Sequence, residues 1–183
     1  VWVMVGSDDY NVGRIYTSAN LTDWSLTSDA SLSTTVHYSV GFGDGEFVAG
    51  WQAEEFGTPR VRVSPDGYTW TTRVLGGGVG GIIFGVGHGN GMWVAVGQRG
   101  TDPILYTSPD AITWTERSLP IGAPNMLNHA AYAQNLWLVG GSGGAILTAG
   151  TFVPPTAATA PYPWSTDMVG IGRAYAICTY KHD

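Results

Sequence analysis

Apolar and polar positions alternate with a period of two through most of the chain, in short runs cut by Gly, Asn, Asp or Pro. That pattern predicts half-buried β-strands joined by tight turns. The clearest stretch is Trp93–Pro120, WVAVGQRGTDPILYTSPDAITWTERSLP. WVAVG is apolar and β-branched. A polar loop leads to ILYTS, and a tight SPDA turn leads into the alternating ITWTERSL. Three strands of about five residues, joined this way, make most of one antiparallel sheet.

The stretch recurs. Its opening strand appears as WVMVG, FVAGW, WVAVG and WLVGG, with first aromatics Trp2, Phe47, Trp93 and Trp137 spaced 45, 46 and 44 residues apart. The turn and following strand appear as Ser18–Trp24, Ser64–Trp70 and Ser108–Trp114, and Trp164 falls near the place of a fourth. Before each opening strand lies another apolar run ending in a turn: Tyr38–Gly45, Ile83–Gly91 and Ala130–Asn135. That run is missing before Trp2 and turns up at the other end as Ala174–Asp183. Four units of roughly 46 residues result, each of four strands A to D.

Sheets of four strands repeated in a ring are the blades of a β-propeller. The expected fold is therefore all-β, a four-bladed β-propeller in a single domain over residues 1–183. The expected blades are approximately 37–72, 82–119, 127–168, and 174–183 plus 1–27. Strand Ala174–Tyr180 would pair with Trp2–Gly6 and close the ring, leaving no free edge. A piece of a longer propeller, or an open array, is the alternative.

Local signals fit this plan. Asp44-Gly45 and Asn90-Gly91 suit type I′ hairpin turns, which need positive φ at both central positions. Residues 74–81, VLGGGVGG, are not a phosphate-binding loop, since no Gly-Lys-Ser/Thr follows and a strand comes next. Thr151–Trp164 is too proline-rich for a central strand and is expected as an extended arm. Asn20-Leu21-Thr22 matches a glycosylation sequon but stands where other copies carry a turn.

Composition narrows the function classes. Charged residues are 12%, Gly numbers 27, and Ser plus Thr 31, a turn-rich profile kept soluble by hydroxyls. A net charge of −6 with 8 Lys+Arg and no basic cluster argues against nucleic acid as a partner. Neither a signal peptide nor an apolar span long enough to insert in a membrane is visible. The first residue is Val, which points to processing, trimming or a fragment. Cys178 stands alone in an apolar strand, a buried thiol rather than a nucleophile. No cofactor signature is present. The histidines His37, His88, His129 and His182 fall at different heights of the A strands, which does not make a metal ring. Asp8 and Asp9 on the first loop are expected to face water.

The recurring turn resembles the Asp box of the sialidase-type propellers, Ser/Thr-x-Asp-x-Gly-x-x-Trp. Ser64, Asp66, Gly67 and Trp70 match in type with one residue missing between Asp and Gly. Ser108, Asp110 and Trp114 match with Ala111 for Gly, and Ser18 and Trp24 match with Asn20 for Asp. Shortened boxes of this kind resemble repeat propellers of phage fibres and bacterial surface proteins. The resemblance implies a structural box, its Trp packed between blades, and hence a fold rather than an activity.

Strand parity puts the A–B hairpins and the boxes on one face, and the B–C loops and D–A connectors on the other. The second face is variable, and binding residues concentrate on variable loops over a rigid scaffold. The candidates there are Tyr10, Trp51, Glu54, Glu55, Phe56, Arg99 and Asp102. Trp51 stands out because other copies carry Gly in its place. Catalysis of the sialidase kind needs clustered arginines and a Tyr–Glu pair, and Arg60, Arg62, Arg73 and Arg117 share no placement. The expectation is a non-enzymatic structural or receptor-binding module of a virion or bacterial surface. It would contact other virion or surface proteins, a receptor or a cell-surface glycan. A lectin-like propeller and a glycosidase are the alternatives.

Overall fold

The computed structural model describes residues 1–8, 12–27, 36–52, 57–78, 80–120 and 122–150. Trp164, Cys178, His182, the proline-rich segment and the expected closing strand 174–180 lie outside the described residues. Among the described residues the regular structure is β-strand, apart from one 3₁₀ turn at Ser142–Gly144.

Four antiparallel sheets follow one another along the chain. The first holds β1 (Trp2–Ser7), β2 (Gly13–Ser18) and β3 (Ser25–Leu26). The second holds β4 (His37–Gly43), β5 (Glu46–Trp51), β6 (Arg60–Ser64) and β7 (Thr71–Val74). The third holds β8 (Gly81–Gly89), β9 (Met92–Arg99), β10 (Asp102–Ser108) and β11 (Thr115–Glu116). The fourth holds β12 (Leu127–Ala133), β13 (Leu136–Gly141) and β14 (Ile146–Gly150). Each repeat unit is one sheet, with strand order following chain order. The first begins at the second strand type, and the described part of the fourth ends at the third.

The hairpins form as their sequences require. Asp44 and Gly45 have φ of 48° and 82°, and Asn90 and Gly91 have 52° and 64°. Gln134 and Asn135 adopt the same left-handed pair, at 51° and 62°, without a glycine.

The inner strands β4, β8 and β12 run side by side, and sequence explains how closely. In β4 and β8 most of the alternate residues toward the next sheet are glycines. A Cβ on Gly85 would stand 2.6 Å from the Asn128 carbonyl oxygen, and one on Gly87 2.6 Å from that of Ala130. Side chains from the next sheet fill the remaining notches: His88 lies over Gly43, and Tyr132 over Gly89. Each of these rings also packs on an aromatic of its own hairpin, Phe42 on Phe47, His88 on Trp93 and Tyr132 on Trp137. His88 additionally reaches Asp44 of the preceding sheet, with Nε2 3.0 Å from Oδ2.

Three cores fill the gaps between sheets. Val48, Val61 and Val63 meet Ile83, Ala95, Ile104 and Tyr106 between the second and third. Ile15, Val3 and Val5 meet Phe47, Ala49 and Trp70 between the first and second. Val94 and Val96 meet Leu127 and Val139 between the third and fourth.

The serine turns repeat one hydrogen-bond scheme. Ser64 Oγ–H donates to Asp66 Oδ1 at 3.0 Å, and the same oxygen accepts the Tyr68 and Thr69 N–H groups. Trp70 Nε1–H then donates to the Gly67 carbonyl at 3.0 Å. Ser108, Asp110 and Trp114 repeat this, as do Ser18, Asn20 and Trp24. The backbone donors hold the Asp66 and Asp110 carboxyls below the usual carboxylate range. Trp70 is buried, while Trp24 and Trp114 are half-buried, since their outer strands are only two residues long.

Candidate functional site

Each inner strand carries a β-bulge at its start, at the same place in the repeat. Register slips between His37 and Ser39, between Ile83 and Gly85, and between Leu127 and His129. The extra residues are Tyr38, Phe84 and Asn128. A bulge frees one side chain from the alternation of its strand and re-aims it, which is why bulges gather beside active sites. Here three of them stand at the same end of three adjacent strands, on the side of the B–C loops.

Two of the freed side chains meet. Tyr38 and Phe84 pack edge to face with ring centroids 5.1 Å apart. The Tyr38 hydroxyl donates to Gln52 Oε1 at 2.8 Å. Gln52 is fixed in turn, its N–H donating to the Val36 carbonyl and its backbone bridging to Ile82 of the third sheet. Tyr38 remains 42% exposed, and Phe84, Gln52 and Asn128 are half-buried, so solvent reaches these side chains at the strand ends that form the mouth. Burial raises the Tyr38 phenol above its ordinary value, which keeps it a hydrogen-bond donor.

Directly behind the mouth, on the opposite faces of the same two strand ends, lie His37 and Trp51. Their rings are 6.0 Å apart, and the Arg62 guanidinium sits 4.4 Å over the Trp51 ring. All three are buried, at 3%, 5% and 2% exposure. Burial, and secondarily the Arg62 charge, push the His37 imidazole down to about 4.

The candidates read from sequence are placed differently from one another. Trp51 is in the mouth's wall but buried, not presented to solvent. Arg99 is committed to its own sheet. Its guanidinium donates to both Glu116 carboxylate oxygens, at 3.1 and 2.8 Å, and to the Gly77 carbonyl at 3.1 Å. The Tyr106 hydroxyl donates to the same carboxylate at 3.0 Å. This clasp pins the glycine-rich connector, because Gly76 passes so close to Tyr106 that a Cβ would stand 2.8 Å from its oxygen. Hydrogen bonding from Arg99 lowers the Glu116 carboxyl, and burial with Glu116 pushes Tyr106 up to about 12. Asp102 is exposed at the β9–β10 turn. Asp8 accepts the Val12 N–H and pairs with Arg14. Tyr10, Glu54, Glu55 and Phe56 lie outside the described residues.

Tyr38, Phe84, Asn128, Gln52 and His37 were not among the sequence candidates. The bulges leave no mark in a single strand's pattern. Alignment of the repeats does carry part of the signal, since it sets His37 against Ile83 and Arg62 against Tyr106.

No family model matches the chain, and no curated protein matches it. Solved structures do. One described as showing that the GH130 family of mannoside phosphorylases contains glycoside hydrolases targeting β-1,2 mannosidic linkages in Candida mannan is similar at 12% identity and a TM-score of 0.41. That similarity covers 73% of this chain and 52% of the other. A glycosyl hydrolase from Bacteroides ovatus is similar at 14% identity and a TM-score of 0.42, over 77% of this chain and 56% of that one. The chain thus spans little more than half the length of either. Both are named as glycoside-acting proteins, and neither as a virion or surface-display protein. The expectation of a non-enzymatic virion or surface module is corrected on this finding. Repetition of the sheet-building residues, on which that expectation leaned, builds a scaffold without fixing what its loops do.

Proposed function

We propose that the chain is a carbohydrate-acting β-propeller whose four sheets are blades of one ring, with Tyr38, Phe84, Gln52 and Asn128 as its sugar-binding mouth. The observation that carries the reading is the set of three aligned bulges. Two re-aimed aromatic rings with amide side chains beside them match the two surfaces of a sugar, its apolar C–H face and its hydroxyl edge. The serine turns are read as boxes of the sialidase-type propellers, acting as blade staples. Two carboxylates, Glu54 and Glu55, follow Gln52 by two and three residues in the chain. Glycoside cleavage runs on residues of that type.

Ring closure is supported by an asymmetry in the second strands. Trp2 and Met4 of β1 are 54% and 46% exposed, whereas Phe47 and Ala49 are at 8% and 0%, and Trp93 and Ala95 at 1% and 0%. In the second and third sheets the preceding sheet covers this face, and among the described residues no sheet covers it on β1. Residues 174–180 carry the inner-strand pattern, and the proposed ring would have them complete the first sheet.

The test is migration through gels containing mannan, xylan, mixed-linkage β-glucan or pectin, with reducing-sugar release measured on the same panel. At least one polysaccharide should retard the protein, and Tyr38→Ala should weaken retention about tenfold at an unchanged unfolding midpoint. Release should fall in Glu54→Gln or Glu55→Gln with retention kept. Failure of every polysaccharide, or retention indifferent to Tyr38→Ala and Phe84→Ala, contradicts the reading.

A further inference from the structure

Among the described residues, the row of the repeat that ends at Trp51 is apolar or tyrosine in every sheet but one. In the third sheet its three positions are Ile83, Gly97 and Tyr106, and in the fourth Leu127, Gly141 and Leu147. The first sheet shows Gly6 and Tyr16 at the corresponding places. Only the second sheet carries His37, Trp51 and Arg62. The register fixes these equivalences: Ile83 pairs with Gly97, Leu127 with Gly141 and His37 with Trp51.

Burying polar groups without partners is costly, and this corner holds several. Both His37 ring nitrogens and Trp51 Nε1 are buried with no hydrogen-bond partner. On the facing first sheet Thr27, whose N–H donates to the Ile15 carbonyl, is buried with its Oγ1 equally unmatched. Ile15 belongs to the core shared with Ala49 and Phe47, so Thr27 is on the face turned toward the second sheet. Unmet donors and acceptors therefore occur on both walls of one inter-sheet gap. The gap between the second and third sheets is filled mainly by Val, Ile, Leu and aromatic side chains, with Ser39 Oγ and Arg73 Nε also unmatched there, and the gap between the third and fourth by Val and Leu.

We propose that the His37–Trp51 corner of the gap between the first and second sheets is a subsite for an uncharged hydroxyl or hydroxymethyl group of the saccharide held at the mouth. The inference rests on the carbohydrate reading above, and strand alternation supplies the connection. Residues 37–38 and 51–52 are two dipeptides on paired strand ends. One member of each, Tyr38 and Gln52, lines the mouth, and the other, His37 and Trp51, lines the gap.

The chemistry selects the ligand. A neutral imidazole offers one donor and one acceptor, and an indole N–H one donor. A hydroxyl group is the complement, since it donates and accepts at once. A metal ion is not, because no group of three His, Cys, Asp or Glu side chains gathers among the described residues. The indole face is already covered by Arg62, which leaves its N–H edge for the ligand.

The test follows the Trp51 indole N–H and His37 ring signals by NMR while methyl α-D-mannopyranoside, methyl β-D-glucopyranoside, methyl β-D-xylopyranoside or sodium glucuronate is added. Trp51→Phe assigns the indole signal. The proposal expects both signals to shift saturably with at least one neutral glycoside. It also expects His37→Leu, which installs the residue of the fourth sheet, to weaken that binding about tenfold. Saturable shifts that survive Tyr38→Ala keep the subsite and remove the mouth. A response to glucuronate alone, exchange with an internal water only, or no response to any neutral glycoside overturns the subsite.

Discussion

The second and third sheets share strand order, hairpins and serine turns, yet they solve the same inter-sheet gap in opposite ways. In the third, Ile83, Gly97 and Tyr106 close the gap with apolar surface, and the Tyr106 hydroxyl escapes to Glu116 at the edge. In the second, His37, Trp51 and Arg62 bury polar atoms at the same positions. Repetition supplies a control within one molecule. What a blade needs for stability is visible in the third sheet, so what the second adds at a cost is there for another purpose. Chemistry lives in the departure from the repeat.

The comparison is broken most severely on the apolar side. Trp93 is 1% exposed in the core between the second and third sheets. Trp93→Ala should cost about 3–5 kcal/mol in urea unfolding. Trp51→Gly, which restores the residue of the other sheets, should cost clearly less. Equal losses would mean that Trp51 is ordinary core.

Acid sharpens the contrast next. His37 is held neutral, its imidazole pushed from 6.5 down to about 4. Between those values the unfolded chain takes up a proton that the folded chain refuses. Stability is therefore full above about pH 6.5 and declines as pH falls toward 4, by up to about 3 kcal/mol. His37→Leu should flatten that part of the pH profile. A slope unchanged by the substitution would place the titration elsewhere.

How much of this was legible in the sequence follows the range of the interactions. The hairpins at Asp44-Gly45 and Asn90-Gly91 and the serine turns are local, each fixed by two to seven neighbouring residues, and the four-unit period is visible because those local signals recur. The bulges at Tyr38, Phe84 and Asn128 are not, because a slip in register belongs to a pair of strands. Trp51 was visible as an anomaly, but its burial was not. Its depth depends on Arg62 across the sheet and on the first sheet opposite. The functional expectation failed for a related reason: variable loops and low charge describe display surfaces and enzyme rims equally well.

Smaller effects test the sheet edges. The Arg99–Glu116–Tyr106 clasp is partly exposed, so screening limits it, and Glu116→Gln should cost about 1 kcal/mol, less at high salt. The box position with positive φ is Gly67 in the second sheet, at 80°, and Leu21 in the first, at 67°. Leu21→Gly should stabilise by roughly 1 kcal/mol. Gly67→Ala should destabilise, since its Cβ would stand 2.8 Å from Val3 Cγ2. A Leu21→Gly variant no more stable than the parent would show that the turn carries no strain.

The most direct measurement of the central claim is a crystal structure of the chain soaked with an oligosaccharide of whichever polysaccharide retards it. The account places a sugar ring against Tyr38 and Phe84, with a hydroxyl bonded to Gln52 or Asn128. Sugar density at the hairpin end beside Phe42, His88 and Tyr132, with Tyr38 and Phe84 left in solvent, would contradict it.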